Sequence, residues 1–154
     1  MLPEEPTGEA TGPSDAILAI HADPYMEQIV TGAKTYEFRK YRIRPSVKRV
    51  WFYLTAPTSS IKYICEISPP RTRNPGDEPL EENGIGNKEF NSRHEEWTGY
   101  DYAYKINSVY EIRNPISLNE MITTYGLGSA PRGLVFVPES IKEAVVWDQQ
   151  IKLR

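Results

Sequence analysis

Apolar residues in this chain gather in short runs, each cut off by proline, glycine or charge, and few of the runs are long enough for an extended helix. Ala16-Ile17-Leu18-Ala19-Ile20-His21 reads as a buried first strand. Val50-Trp51-Phe52-Tyr53-Leu54-Thr55, rich in β-branched and aromatic residues and closed by Ala56-Pro57, reads as another. Residues 61–68 repeat the pattern before Pro69-Pro70, residues 102–112 alternate clearly enough to predict a long strand, and residues 133–137 form a short one before Pro138. Helical signals are briefer. Asp23-Pro24 predicts a helix start, with Asp23 capping free N–H groups and Pro24 at the first helical position. That helix runs through Tyr25-Met26-Glu27-Gln28-Ile29-Val30 and stops at Gly32. A second, residues 118–125, follows Pro115-Ile116-Ser117 and ends at Gly126; residues 88–97 are weakly helical or irregular, and the tail 144–153 predicts a final strand or a short helix. With no βαβ rhythm, the pattern predicts a mainly β, α+β fold: a small barrel of five to six mostly antiparallel strands flanked by two or more short helices.

Residues 1–14 hold prolines, glycines and glutamates with almost nothing to bury, and are expected to be a disordered lead-in to one domain spanning 15–154. Within that domain, residues 69–98 read as a polar insertion loop. At 154 residues the chain is long enough to bury a real core, and no run approaches the ~18 apolar residues of a membrane helix. The N-terminus lacks the pattern of a signal peptide, and the single Cys65 has no partner for a disulfide, so an intracellular site, cytoplasmic or nuclear, is expected. Two histidines and one cysteine make a structural zinc improbable; no metal and no cofactor are implied.

The net charge of −3 argues against a nucleic-acid partner, but its distribution does not. Lys34, Arg39, Lys40, Arg42, Arg44, Lys48 and Arg49 crowd one stretch against the lone Glu37, while the acids concentrate near the start and between Asp77 and Glu96. Screening acts over ~8–10 Å, so such a band can attract phosphate even on an acidic protein; the alternative is a solvated hairpin. Inside the band, alternation places Thr35, Glu37 and Arg39 on one strand face, and Tyr36, Phe38 and Lys40 on the other, with Tyr36 and Phe38 read as core. Lys34 sits at the helix–strand corner. A carboxylate, a guanidinium and an ammonium so placed suit a ligand site, unless they satisfy one another as a surface bridge worth under ~1 kcal/mol. Tyr53 and Thr55 share a face of the next strand, and His21 ends the first beside the helix. Trp97, Tyr100, Tyr102 and Tyr104 read either as a stacking surface or as barrel closure.

The order of these elements, with Gly32-x-Lys34-x-x-Glu37-x-Arg39 between helix and strand, resembles the ASCH domain, a branch of the PUA-like superfamily of small β-barrels. The Pro115-Ile116-Ser117-Leu118 step and the Ala130-Pro131 turn extend the resemblance over residues 15–140. It implies a cleft that binds RNA or DNA, single-stranded or with a flipped or modified nucleotide. Lys34, Glu37 and Arg39 match the motif that lines the cleft; His21 stands where the family often has a lysine, and Thr35, Lys40, Arg42, Tyr53, Thr55 and Arg132 are further candidates. Glu37 can accept from a base N–H, and Arg39 can clamp a phosphate or a base edge.

Some relatives in that family are N4-acetylcytidine amidohydrolases, using Lys, Thr and Glu, and others are described as ribonucleases. Here Glu37 stands where the amidohydrolases place their threonine. A binding module is therefore the first expectation, and a hydrolase with Lys34 and Glu37 as acid and base the second. A protein-interaction role for the acidic 77–96 region is a third.

Overall fold

The computed structural model describes residues 11–154. Its elements run β1 (Asp15–Ile20), a wide helical turn (Ala22–Met26), α1 (Glu27–Thr31), β2 (Tyr36–Arg39), β3 (Arg49–Leu54), β4 (Ser60–Ile67), α2 (Asn87–Ser92), β5 (Tyr102–Ser117), α3 (Leu118–Thr123), β6 (Leu134–Phe136), α4 (Glu139–Ala144) and β7 (Ile151–Lys152). The strands form one curled half-barrel sheet in the order β2-β5-β4-β3-β1-β6, with β7 added on β5. Short helices flank it, so the expected α+β architecture is present. Among the described residues no helix is long and apolar enough to cross a membrane.

Curling follows from β5. This strand pairs with β4 from Ser117 back to Ile106, then continues along β2 over Lys105 to Tyr102, so one strand serves both sides of the half-barrel. Register shifts in β4, between Ile61 and Tyr63 and between Glu66 and Ile67, sharpen the bend. All pairings are antiparallel except β1 with β3, which α1 and β2 bring round to run parallel. The sequence shows no regular βαβ rhythm because this crossover occurs once.

Both faces of the central strands are covered, which explains their unbroken apolar runs. Ala16, Leu18, Ile20, Val50, Phe52 and Leu54 point into the concave side with Met26 and Ile29 from the helical segment. Ile17, Trp51, Tyr53 and Ile64 pack on the opposite side beneath Met121 of α3 and Ile141 of α4. A third cluster joins Tyr36 and Phe38 of β2 to Leu80 and Phe90 of the 69–98 insertion. That insertion is therefore not only polar loop: it carries a helix and buries its own apolar side chains.

Several local expectations need correction. Asp23 does not cap α1: it is extended (φ −121°, ψ 125°), the Asp23–Pro24 peptide bond is cis, and the chain instead turns by Met26 N–H donating to the His21 carbonyl at 3.0 Å. The stop at Gly32 is as expected, with φ +84°. Helix α4 had no clear signal in its short, charged sequence, whereas the tail does end in a strand, β7. Of the lead-in, residues 1–10 lie outside the described residues. Residues 11–14 are fastened to the loop after β2, with Ser46 Oγ donating to the Pro13 carbonyl and Lys48 N–H to that of Ser14.

One buried polar knot ties the start of β1 to β3. Arg49 donates to both oxygens of Asp15 at 2.9 and 3.0 Å, Trp51 Nε1 donates at 2.8 Å, and Ser14 Oγ donates as well. Arg49 also lies 4.7 Å from the Trp147 ring centre. Burial alone would raise the Asp15 carboxyl, but these bonds outweigh it and hold it below the ordinary carboxylate value. A carboxyl lowered in the folded state adds stability above its unfolded value near 4, and that contribution disappears as pH falls through the folded value. Asp15→Ala is expected to cost about 2–4 kcal/mol at neutral pH in urea unfolding, because Arg49 and the Trp51 N–H lose their acceptor. The same variant should show a shallower loss of stability than the parent as pH falls below about 4, the window from the unfolded value down through the lowered folded one.

Candidate functional site

Strand β6 covers only Ala16, Ile17 and Leu18 of β1, so the last part of that strand has a bare edge. Opposite it stands β2, the other edge of the sheet. The gap between them is a cleft of about 430 Å³ lined by Ala19, Ile20, His21, Tyr25, Lys34, Glu37, Phe38, Arg39, Glu96, Trp97 and Tyr100. That volume falls within the ~300–1,000 Å³ typical of small-ligand sites. The Arg39 guanidinium crosses the gap, donating from Nη2 to the free Ala19 carbonyl at 3.1 Å.

Glu37 lies at the centre and is only 6% exposed. Its Oε1 is 3.5 Å from Lys34 Nζ and 3.7 Å from Arg39 Nε, and accepts from the Phe38 N–H at 3.2 Å. Its Oε2 has no hydrogen-bond partner among the described residues, and neither does Arg39 Nε. The mutual ion pairing entertained from sequence thus exists, but it is buried rather than on the surface, and it is incomplete. Lys34, 8% exposed, also has its ammonium 5.6 Å from the centre of the Tyr25 ring and 5.9 Å from that of Phe38.

Backbone from distant parts of the chain holds this arrangement. The C-terminal strand lies on the same edge of β5 as β2, with Leu153 N–H donating to the Val109 carbonyl and Ile106 N–H to that of Thr35. Arg154 is thereby placed to donate to the Ile29 carbonyl at 3.0 Å and to that of Lys34 at 3.5 Å, across the α1–β2 corner. The aromatic wall comes from the insertion. Trp97 meets Phe38 edge to face at 4.8 Å, and Arg73 fixes it from behind, donating to the carbonyls of Trp97 (2.8 Å) and Phe90 (3.2 Å) and to Asp101 (3.1 Å). Gly86 leaves the space: with φ +89°, any Cβ there would collide with Trp97 and lie 2.9 Å from the Phe38 ring.

Of the residues singled out from sequence, His21, Lys34, Glu37 and Arg39 line the cleft. Thr55 stands behind His21, its hydroxyl 2.8 Å from Nδ1. The others lie elsewhere. Thr35 precedes β2, so strand alternation does not reach it, and its hydroxyl accepts from Asn87 of the insertion at 3.1 Å. Tyr53 is buried in the outer core because α3 and α4 cover that face of β3. Lys40 is exposed outside the wall, its ammonium 4.9 Å from the centre of the Tyr100 ring. Arg42 and Arg132 are exposed on loops away from the wall. Phe38 is in the core as expected, yet also forms wall because β2 is an edge strand. Tyr25, Glu96, Trp97 and Tyr100 are the wall residues that the motif alone does not reveal; the Trp97–Tyr100 aromatic pair was the only signal of them.

No protein-family model and no curated protein sequence matches the chain. Solved structures do. The ASCH protein of Zymomonas mobilis superposes with a TM-score of 0.60 at 18% identity, over 90% of this chain and 98% of that one. Two single-residue variants of the Zymomonas mobilis protein match alike, with TM-scores of 0.59 and 0.60 at 20% and 18% identity, over 85% and 89% of this chain and 93% and 99% of theirs. The chain has the fold of the ASCH domain.

Gly86→Ala is expected to displace Trp97 and to cost roughly 1–3 kcal/mol. Near-ultraviolet circular dichroism should lose the aromatic signal of the Phe38–Trp97 contact while the far-ultraviolet spectrum, set by the sheet, stays the same.

Proposed function

We propose that this protein is a nucleic-acid-binding module that takes one unstacked base of a single strand of RNA or DNA, or a flipped nucleotide, into the cleft between β1 and β2. The observation that carries the reading is the buried Oε2 of Glu37, without a partner among the described residues, inside a cleft walled by aromatic rings. Buried carboxylate oxygens are normally hydrogen-bonded, so an open one marks a place where a ligand donor fits. A base supplies that donor on its edge and a flat face for Trp97, Phe38 or Tyr25. Lys34 and Arg39 stand together against Glu37 on the floor, with Glu96 on the lining as the second carboxylate, and the Arg39 guanidinium is the group suited to a phosphate. Lys40, beside Tyr100 at the rim, lies where a strand leaving the cleft can meet more positive charge.

Binding without turnover is favoured over hydrolysis. Glu37 occupies the position at which the amidohydrolases of the resembled family carry threonine, and the nearby hydroxyl of Thr35 is engaged by Asn87.

Fluorescence anisotropy with labelled mixed-sequence single strands tests this reading. Binding is expected to weaken steeply with salt. Arg39→Ala should weaken it by about 10-fold or more in every sequence, as loss of a charged hydrogen bond implies. Lys40→Ala should have a smaller effect and lower the salt slope by about one. Affinity untouched by either change removes the cleft from consideration, and turnover of labelled RNA or N4-acetylcytidine that vanishes in Lys34→Ala would make the protein an enzyme instead.

A further inference from the structure

The aromatic wall of the cleft continues past the pocket. Its rings follow one another from core to solvent: Phe38 is buried, Trp97 meets it edge to face at 4.8 Å, and Tyr100 meets Trp97 at 6.1 Å, these two half-buried. Lys40 ends the row. It is exposed, and its ammonium stands 4.9 Å from the centre of the Tyr100 ring. Its stem runs over Gly99, where a Cβ would touch Lys40 Cδ at 3.6 Å. Lys40 also differs from the other cations around the cleft. Lys34 and Arg39 stand against Glu37, and Arg73 against Asp101. Among the described residues Lys40 meets a ring and no carboxylate, so its charge is held in place without being offset. Its three donors remain for another partner.

Resting on the reading of the cleft as a base pocket, we propose that Lys40 and Tyr100 form a second subsite, for the nucleotide that adjoins the one in the cleft. The Lys40 ammonium takes the phosphate of that nucleotide, and the Tyr100 ring takes its base on the side that the ammonium leaves open. The smallest ligand that fills the site is then a dinucleotide. Chain order favours a continuous track: Arg39 and Lys40 are consecutive, so the cation inside the cleft and the cation at its rim spring from neighbouring Cα atoms about 3.8 Å apart. A phosphate contact and a ring stack are both blind to base identity, so this subsite adds affinity without sequence preference. Whatever discrimination the protein has resides in the buried pocket around Glu37.

The test uses the full chain and a labelled mixed-sequence single strand, displaced by nucleoside 5′-monophosphates of all four bases, by 5′-phosphorylated dinucleotides made from them, and by hexanucleotides, in ribo and deoxyribo series. Dinucleotides are expected to compete about 10-fold more tightly than monophosphates, the gain that one added base stack supplies. Competition that begins at the dinucleotide counts as the same step. Lys40→Ala should shrink the step and remove the part of it that falls with salt, whereas Lys40→Arg should keep both. A loss of packing alone would weaken monophosphates and dinucleotides together and leave their ratio as it was. The length series on the unaltered protein gives its answer independently of any variant. Equal competition by monophosphates and dinucleotides, a step of full size in Lys40→Ala, or competition that begins only beyond the dinucleotide overturns the second subsite and leaves the base pocket in place. Failure of the labelled strand and of every competitor to bind overturns both.

Discussion

A carboxylate taken out of water between two cations needs walls that exclude solvent and backbone that keeps the cations within reach, and much of the structure around β2 supplies one or the other. The Arg39 guanidinium has a neutral anchor, the Ala19 carbonyl, which is free because β6 stops short on β1. Lys34 is anchored through its backbone, whose carbonyl receives Arg154. The cations are thus held largely by groups other than Glu37, which is why its second oxygen remains open. A self-sufficient bridge would have closed the site.

The half-barrel exists to bring two sheet edges face to face. If β5 ended at Ile106, β2 would have no partner and Glu37 no floor to stand on. Because β5 bends and runs on, β2 becomes an edge opposite the exposed end of β1, and the cleft opens between them. The 69–98 insertion then closes one side. Its small apolar cluster packs on the back of β2, and the Arg73 latch presents Trp97 toward the gap. Stability of that insertion and shape of the cleft are one problem, since Phe38 belongs to both.

The Asp15 knot acts at the far end of β1 and has a different task. It satisfies a buried carboxylate completely, with Arg49, Trp51 and Ser14 all donating. Nothing is left over for a ligand. Two buried acids on the same fold thus differ in kind: one is saturated and holds strands together, the other is unsaturated and faces a cleft. Hydrogen-bond completeness, more than burial or charge, separates the two acids here.

Much of the fold was legible in the chain because strand alternation and helix stops are local properties. The buried runs at β1, β3 and β4, the stop at Gly32 and the start of α3 after Pro115-Ile116-Ser117 each depend on neighbours a few residues away; the Ser117–Glu120 capping box that closes that start is seen in the structure. Lys34, Glu37 and Arg39 could be grouped for the same reason: they sit on one corner and one strand. What lay beyond the sequence was whatever depends on contacts between distant segments. Thr35 drops out because Asn87, far along the chain, takes its hydroxyl, and Tyr53 drops out because helices near the C-terminus cover its face. Trp97 and Tyr25 enter the site because Arg73 and the turn after β1 deliver them across the gap. Periodicity tells which side of its own strand a residue takes; only packing decides what stands opposite, since that depends on groups whose separation along the chain carries no signal of their distance in space.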